Sequence, residues 1–279
     1  MKLSSGELVA IMEIKLTPTT AQELQVCPHL FQQKYLKHSV TIPSYAINAS
    51  AQMGTNVHAA LDVFYKRGAH QVQSQEDLLA LFNHKWSSAG FVDGEQELGY
   101  RQQARTMVSA YYSLTLDEPK CQQRMTESFQ KTARPLTLGR HKVMLSGRFD
   151  RLDLLADGTV EVIDYKTGDP AGGLPDEREM AENLANLVYY RLAVEVYPNA
   201  KTVTVSRFFL KSRRKVSVYY TPTRLQSAKA ELTQLLNQLD DGIAPPHENF
   251  GCAWCLVRKH GQCPLFAEVD NATVEALAF

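Results

Sequence analysis

At 279 residues the chain is long for one minimal domain and short for two independent ones, because domains mostly run about 100 to 200 residues, so one composite domain is expected. Apolar residues make up 44% and charged residues 22%, ordinary values for a folded protein, which excludes wholesale disorder. Lys+Arg 30 against Asp+Glu 30 excludes a strong global basic bias but leaves room for a local basic groove.

The N-terminal stretch MKLSSGELVAIMEIKL lacks the charged start and clean apolar run of a signal peptide. No segment approaches the roughly 18 uninterrupted apolar residues of a membrane span, so a cytoplasmic protein without membrane partners is expected. After a Thr-Pro-Thr-Thr start, AQELQVCPHLFQQKYL carries Leu24, Cys27, Phe31 and Tyr35 at helical spacing and predicts one helix. A second helix, SAQMGTNVHAALDVFYKRG, puts Met53, Val57, Ala60, Leu61 and Phe64 on one face and ends at Gly68. Two more helices are expected over 75–86 and 98–116. The period then changes to alternation over 124–133, 138–155 and 159–166, with Asp157-Gly158 marking a hairpin turn. A helix over 177–197, strands over 202–210 and 215–220 around a Lys-Ser-Arg-Arg-Lys turn, and a final helix LQSAKAELTQLLNQL complete a mixed sheet wrapped by helices. There is no internal repeat and no low-complexity segment.

The most informative stretch is GRFDRLDLLADGTVEVIDYKTG, residues 147–168. Along VEVIDYKT, alternation puts Val162, Asp164 and Lys166 on one face and Ile163 and Tyr165 on the other. The Asp-Gly turn can bring Asp150 of the preceding strand across from that pair. Carboxylates gathered on one face repel unless a cation sits between them, and hard oxygen ligands favour Mg2+ or Mn2+. Such a metal can polarise a phosphoryl oxygen and lower the pKa of a bound water, while a nearby lysine offsets phosphate charge, which is the chemistry of phosphodiester hydrolysis. Taken alone, Asp-x-Lys on a strand is a weak signal, more often a solvated edge or a simple salt bridge.

The order of motifs adds to that reading. Gly54-x-x-x-His58 on a helix precedes Gly147-Arg148-Phe149-Asp150-Arg151-Leu152-Asp153, then Asp164-Tyr165-Lys166-Thr167-Gly168, then a helix carrying Leu187 and Tyr190. This arrangement resembles the RecB-like branch of the PD-(D/E)XK nuclease superfamily over most of the chain. The resemblance implies an α/β, restriction-endonuclease-like mixed sheet flanked by helices. Within one composite nuclease domain it implies a helical N-terminal section over 1–120, a catalytic core over 121–241 and a cysteine cap over 242–279. It also implies His58, Asp150 and Asp164 as metal ligands with the main-chain carbonyl of Tyr165, Lys166 as the catalytic lysine, and Tyr190 as a further catalytic residue. The family's Gln-Leu-x-x-Tyr reads Asn186-Leu187-Val188-Tyr189-Tyr190 here, so the Gln is replaced by a shorter amide, and Tyr189 is expected in the core. Glu127 is a candidate additional carboxylate, whereas Asp153 points to the other face as the salt-bridge partner of an Arg.

Cys252-Ala-Trp-Cys255, Cys263 and the distant Cys27 can form a closed four-sulfur site. Closing so long a loop would restrict the unfolded chain by roughly 5 kcal/mol on the loop-entropy account. Ligand chemistry alone admits zinc or a 4Fe–4S cluster. The resemblance implies the cluster: iron–sulfur members of this branch, including AddB-type and CRISPR-associated RecB-like exonucleases, carry one Cys before the nuclease motifs and three after them. The contexts Cys27-Pro28 and Cys263-Pro264 also match. Cys121 is an ordinary small apolar residue outside the quartet.

Arg207, Lys211, Arg213, Arg214 and Lys215 form the densest positive run, with Arg213, Arg214 and Lys215 the candidate DNA-binding residues. Tyr35, Tyr45, Trp86 and Trp254 could stack on unpaired bases, but each is more often a core residue or a cluster shield, and none is assigned to DNA. The expected activity is a metal-dependent DNA exonuclease acting at single-stranded ends or overhangs, in repair, recombination or CRISPR spacer processing. The competing reading is a non-catalytic DNA-end-binding subunit of a helicase or CRISPR integrase complex.

Overall fold

The computed structural model describes residues 13–40, 48–67, 74–240, 242, 244–253 and 255–266. A seven-stranded mixed sheet organises the chain. Its longest strand, β4 (His141–Leu155), is the hub. β1 (Glu13–Leu16) runs parallel to it, while β2 (Cys121–Lys131), β3 (Leu136–Leu138) and β5 (Thr159–Lys166) run antiparallel. β5 continues the sheet through a parallel β6 (Thr202–Phe209) and an antiparallel β7 (Arg214–Tyr219). The hairpin expected at Asp157-Gly158 forms, with Gly158 at φ +86, a backbone state that costs glycine little.

Helices cover both faces of the sheet. α1 (Pro18–Val26), α7 (Leu184–Val196) and α8 (Pro222–Gln238) share one core with Leu16, Leu145, Phe149, Leu152 and Val162. On the other face α3 (Ala49–Arg67), α4 (Gln75–Lys85) and α5 (Gly94–Thr115) bury Ile163, Tyr165 and Leu210. The alternation read along β5 therefore divides its side chains between two cores, as a pleated strand must. At Gly147 in β4 the packing is close enough to exclude a side chain: a Cβ there would lie 2.9 Å from Pro18 Cδ and 3.2 Å from Leu192 Cδ1.

Several boundaries differ from expectation, each for a local reason. The first helix does not run through to Leu36. α1 stops at Val26, Cys27 turns extended, and α2 (Pro28–Phe31) restarts behind Pro28, whose ring is suited to a first turn but not an interior one. Residues Gln32–Leu36 then adopt a π-helical turn. The helix expected over 177–197 is two: α6 (Glu177–Glu182) ends before Asn183, whose side chain accepts from the Ala185 amide and caps α7. β1 had no periodic signal, being four residues long, and finds its place only by pairing with β4. Gly68, Tyr45 and Trp254 lie outside the described residues.

The C-terminal segment returns to the first helices. His29 is buried, with its ring nitrogens 3.1 Å from the carbonyl oxygens of Ala244 and Gln262. Gln32 donates to the Leu239 carbonyl at 3.2 Å and accepts from the Ala244 amide at 3.2 Å. α9 (Leu256–Lys259) follows, with Val257 and Cys263 buried against Val40. Among the described residues no helix is long and apolar enough to cross a membrane.

Candidate metal and nucleic-acid site

Three strands and a helix converge on one group of ligands. His58 of α3 faces Asp150 of β4 across 3.4 Å and Glu127 of β2 across 3.9 Å, through Nδ1. The three ligand atoms lie within 4.8 Å of one another, and theirs is the only such group of three or more among the described residues. The other ring nitrogen, Nε2, lies 3.1 Å from the Tyr165 carbonyl oxygen. The Tyr165 amide donates to Asp150 Oδ2 at 2.8 Å, one step along the ladder from the Arg151–Ile163 pair. His58, Asp150 and the Tyr165 carbonyl are thus brought together as expected, and Glu127 joins them.

Glu127 carries a second signature. It is a strand residue with φ +47, the left-handed region that costs a non-glycine residue about 1–3 kcal/mol and persists where surrounding structure or function demands it. Periodicity could not reveal this, because the break in alternation is what turns the carboxylate toward His58.

The electrostatics match a cation site. Burial pushes the Glu127 carboxyl up, and the Asp150 charge pushes it further. Burial would also raise Asp150, but hydrogen bonding and charge from His58, with the Tyr165 amide, hold it below the usual carboxylate range. Burial alone would lower His58, yet Asp150, Asp164 and Glu127 together raise it. Two carboxylates, an imidazole and a carbonyl form a donor set suited to a divalent cation, which would relieve the repulsion between the carboxylates.

Asp164 adjoins this group without entering it. Its buried carboxylate pairs with Lys166 Nζ at 2.8 Å and lies 3.8 Å from Arg207 Nε. Burial raises Asp164, and Asp150 adds to the rise against the opposing Lys166 charge. Asp164, Lys166, Tyr189 and Arg207 border one cavity of about 390 Å3.

On α7 the two adjacent tyrosines border different cavities. Tyr190 does not reach the Asp164 cavity; its ring packs on Tyr220 at 4.9 Å and borders a different, largely apolar cavity with Leu187 and Leu232. Tyr189 packs against the core as expected, its ring 6.0 Å from that of Phe149, and it also borders the Asp164 cavity, where burial followed by the Asp164 and Asp150 charges pushes its hydroxyl well up. The helix is turned by one residue, so Ala185 and Tyr189 face the cavity. Asn186 is fully buried and donates to the Met180 carbonyl at 2.7 Å, so its short amide serves the α6–α7 junction and not the cleft.

Asp153 is placed as expected, paired with Arg124 at 2.7 Å and with Arg151. In the basic hairpin, Arg213 and Arg214 are exposed, Arg213 at φ +56, and Ser212 at the tip bonds Asp169 in the loop after Lys166. Lys215 differs from expectation: its Nζ pairs with Glu161 Oε1 at 2.7 Å, which reduces its availability to a backbone phosphate.

Cys27, Cys252, Cys255 and Cys263 all border a cavity of about 340 Å3 and none forms a disulfide. Amides of Leu30 and His247 point to Cys27 Sγ at 3.4 and 3.5 Å, and that of Asn249 to Cys252 Sγ at 3.4 Å. Burial raises the Cys263 thiol, with Cys255, Cys27 and Cys252 adding to the rise. The sulfurs are gathered around a space but not drawn into a close ligand group like that of His58, Glu127 and Asp150. Cys121 lies apart, bonded to the Gln123 carbonyl.

Comparison with known proteins follows this geometry. Solved structures that resemble the chain include SSO0001, at 16% identity over 85% of this chain and 94% of that one, with a TM-score of 0.37. Another is from Eubacterium rectale, named “Putative exonuclease”, at 10% identity over 91% and 92%, with a TM-score of 0.45. No curated protein gives a significant match. The profile of the PD-(D/E)XK nuclease superfamily matches residues 15–263, spanning β1, the ligand group, Lys166 and all four clustered cysteines. The chain belongs to the PD-(D/E)XK nuclease superfamily.

Proposed function

We propose that the chain is a metal-dependent DNA exonuclease, formed as one composite domain, that hydrolyses phosphodiester bonds at single-stranded ends or overhangs. The observation that carries this reading is the His58–Glu127–Asp150 group set beside the Asp164–Lys166 pair. His58, Glu127, Asp150 and the Tyr165 carbonyl would hold Mg2+ or Mn2+, with Asp164 able to join them. A cation there would polarise a phosphoryl oxygen and lower the pKa of a bound water. Lys166, half-exposed at the cavity mouth and oriented by Asp164, places its ammonium where it can offset the negative charge that builds on a phosphoryl group. The exposed Arg213 and Arg214 extend positive charge from the same end of the sheet, in line with a backbone track.

The four cysteines would hold a 4Fe–4S cluster with a structural role, tying the first helices to the C-terminal cap. Such an enzyme suits DNA repair, recombination or CRISPR spacer processing, alone or beside a helicase or integrase. Incubation of anaerobically purified protein with 5′- and 3′-labelled single strands in Mg2+ or Mn2+ tests the reading and gives the polarity. Cleavage is expected in either metal, at least as fast in Mn2+, and lost in Asp164→Ala and Lys166→Ala variants that still fold. Robust cleavage in EDTA would overturn the metal mechanism; binding without cleavage in either metal would favour an end-binding subunit.

A further inference from the structure

Among the described residues, Arg207 has only a long ion pair, with Asp164. It lies on β6 opposite Asp164 in the parallel ladder, and only 14% of its side chain is exposed. Its Nε is buried and makes no hydrogen bond, and the nearest carboxylate oxygen, on Asp164, is 3.8 Å away. That carboxylate is already held by Lys166 at 2.8 Å. A guanidinium has five donors in a planar fork, and an Nε donor buried without a hydrogen-bond partner is costly unless an anion completes it. The space for one is present, since Arg207 and Lys166 both border the 390 Å3 cavity with Thr19, Gln22 and Tyr189. The cavity's other acid, Asp169, is exposed at the rim and takes a hydrogen bond from Ser212. The buried Arg207 and the half-exposed Lys166 therefore face one carboxylate, that of Asp164.

We infer that Arg207, with Lys166 beside it, forms a subsite for a second phosphoryl group of the nucleic-acid strand, next to but separate from the linkage being cut. The cavity shares Asp164 and Lys166 with the proposed catalytic centre and extends beyond His58, Glu127 and Asp150, which do not border it, so a phosphoryl group held at Arg207 would be a neighbour of the one being cut. A bidentate guanidinium contact would fix the strand's register relative to those ligands, as planar Arg–phosphate pairs do. The inference rests on the nuclease reading for its substrate, but the anion subsite itself is tested without cleavage.

Single-stranded oligothymidylate binding is measured in EDTA over a range of salt, for the wild type, Arg207→Gln and Arg207→Lys, with folding checked by thermal melting. Loss of one phosphate contact in Arg207→Gln should reduce the salt slope by about 0.7, while Arg207→Lys should keep the slope and bind several-fold more weakly. Oligonucleotides lacking a terminal phosphate, or carrying one neutral methylphosphonate at successive internal positions, identify the contact as terminal or internal. One such change should weaken the wild type about tenfold, Arg207→Lys less, and Arg207→Gln least, since only Lys166 then remains to sense it. An Arg that merely braces Asp164 would leave slope and phosphate sensitivity unchanged, and that result overturns the subsite. If Arg207→Gln does not fold, an equal phosphonate effect on the wild type and Arg207→Lys overturns it instead. Mn2+-dependent cleavage is assayed separately: wild-type cleavage with an unchanged slope in the variant removes the subsite alone, whereas an altered slope without wild-type cleavage keeps the subsite and removes the nuclease reading.

Discussion

Tyr189 and Tyr190 sit side by side in sequence and face different parts of the molecule. One borders the Asp164–Lys166 cavity and the other packs on Tyr220. Which of the two faces a cleft depends on how α7 is rotated, and that follows from the Leu184, Val188 and Leu192 face that it buries in the core. A substitution pair separates their roles. Tyr189→Phe removes only a hydroxyl beside Asp164 and Arg207, and cleavage is expected to fall about tenfold or more with little change in melting temperature. Tyr190→Ala removes a half-buried ring, so stability should fall by about 1–3 kcal/mol while the activity of the folded fraction stays near wild type. Steady-state cleavage normalised to folded protein, measured next to thermal melts, checks both, and the reverse pattern would return the functional role to Tyr190.

At the scale of elements, β2 and β4 are joined by charge as well as by the ladder. Arg124 of β2 and Arg151 of β4 converge on Asp153, and Glu118 pairs with both guanidiniums just before β2 begins. Burial would raise the Asp153 carboxyl, but the hydrogen bonds and charges of Arg124 and Arg151 outweigh it and hold the group below its usual range. A carboxyl depressed in the fold stabilises the protein above its unfolded pKa of about 3.9, and that contribution is lost as pH falls through the lower folded value. Asp153→Asn leaves two buried guanidiniums short of a charge and should destabilise by about 3–5 kcal/mol at neutral pH. Urea unfolding from neutral to acid pH should show the wild type converging toward the variant as it acidifies; parallel curves would remove Asp153 as the source. The pairing of Asp153 with arginine, the 159–166 strand and the Asp157-Gly158 hairpin were legible because alternation and turn chemistry are local. The break at Cys27-Pro28, the division at Asn183, the partner of Lys215 and the left-handed Glu127 were not, because each is fixed by side-chain hydrogen bonds or long-range contacts that periodicity does not encode.

In the whole molecule, α1 links the two regions of chemical interest. Gln22 borders both the Asp164–Lys166 cavity and the cysteine cavity, and Cys27 follows the last turn of the same helix. The sequence order of the four cysteines pointed to this closure, whereas the His29 and Gln32 contacts that also close it needed the fold to be seen. Protein contacts alone therefore hold the ends together to some degree, and a four-thiolate centre would add to them instead of creating the fold. Replacement of Cys27, Cys252, Cys255 or Cys263 by Ala should remove the brown absorbance of an iron–sulfur centre and lower the melting temperature, because a site missing one thiolate is open to solvent and oxidation. Cys121→Ala should leave both unchanged, since its thiol bonds the Gln123 carbonyl away from the cavity. Anaerobically purified protein should carry about four iron and four sulfide per chain; stoichiometric zinc without iron would replace the cluster by a zinc site and leave the nuclease reading standing. Because α1 walls both cavities, the Cys27 variant should also bind single strands more weakly than wild type at equal folded concentration, and affinity that stayed unchanged after complete loss of iron would show that the two cavities act independently.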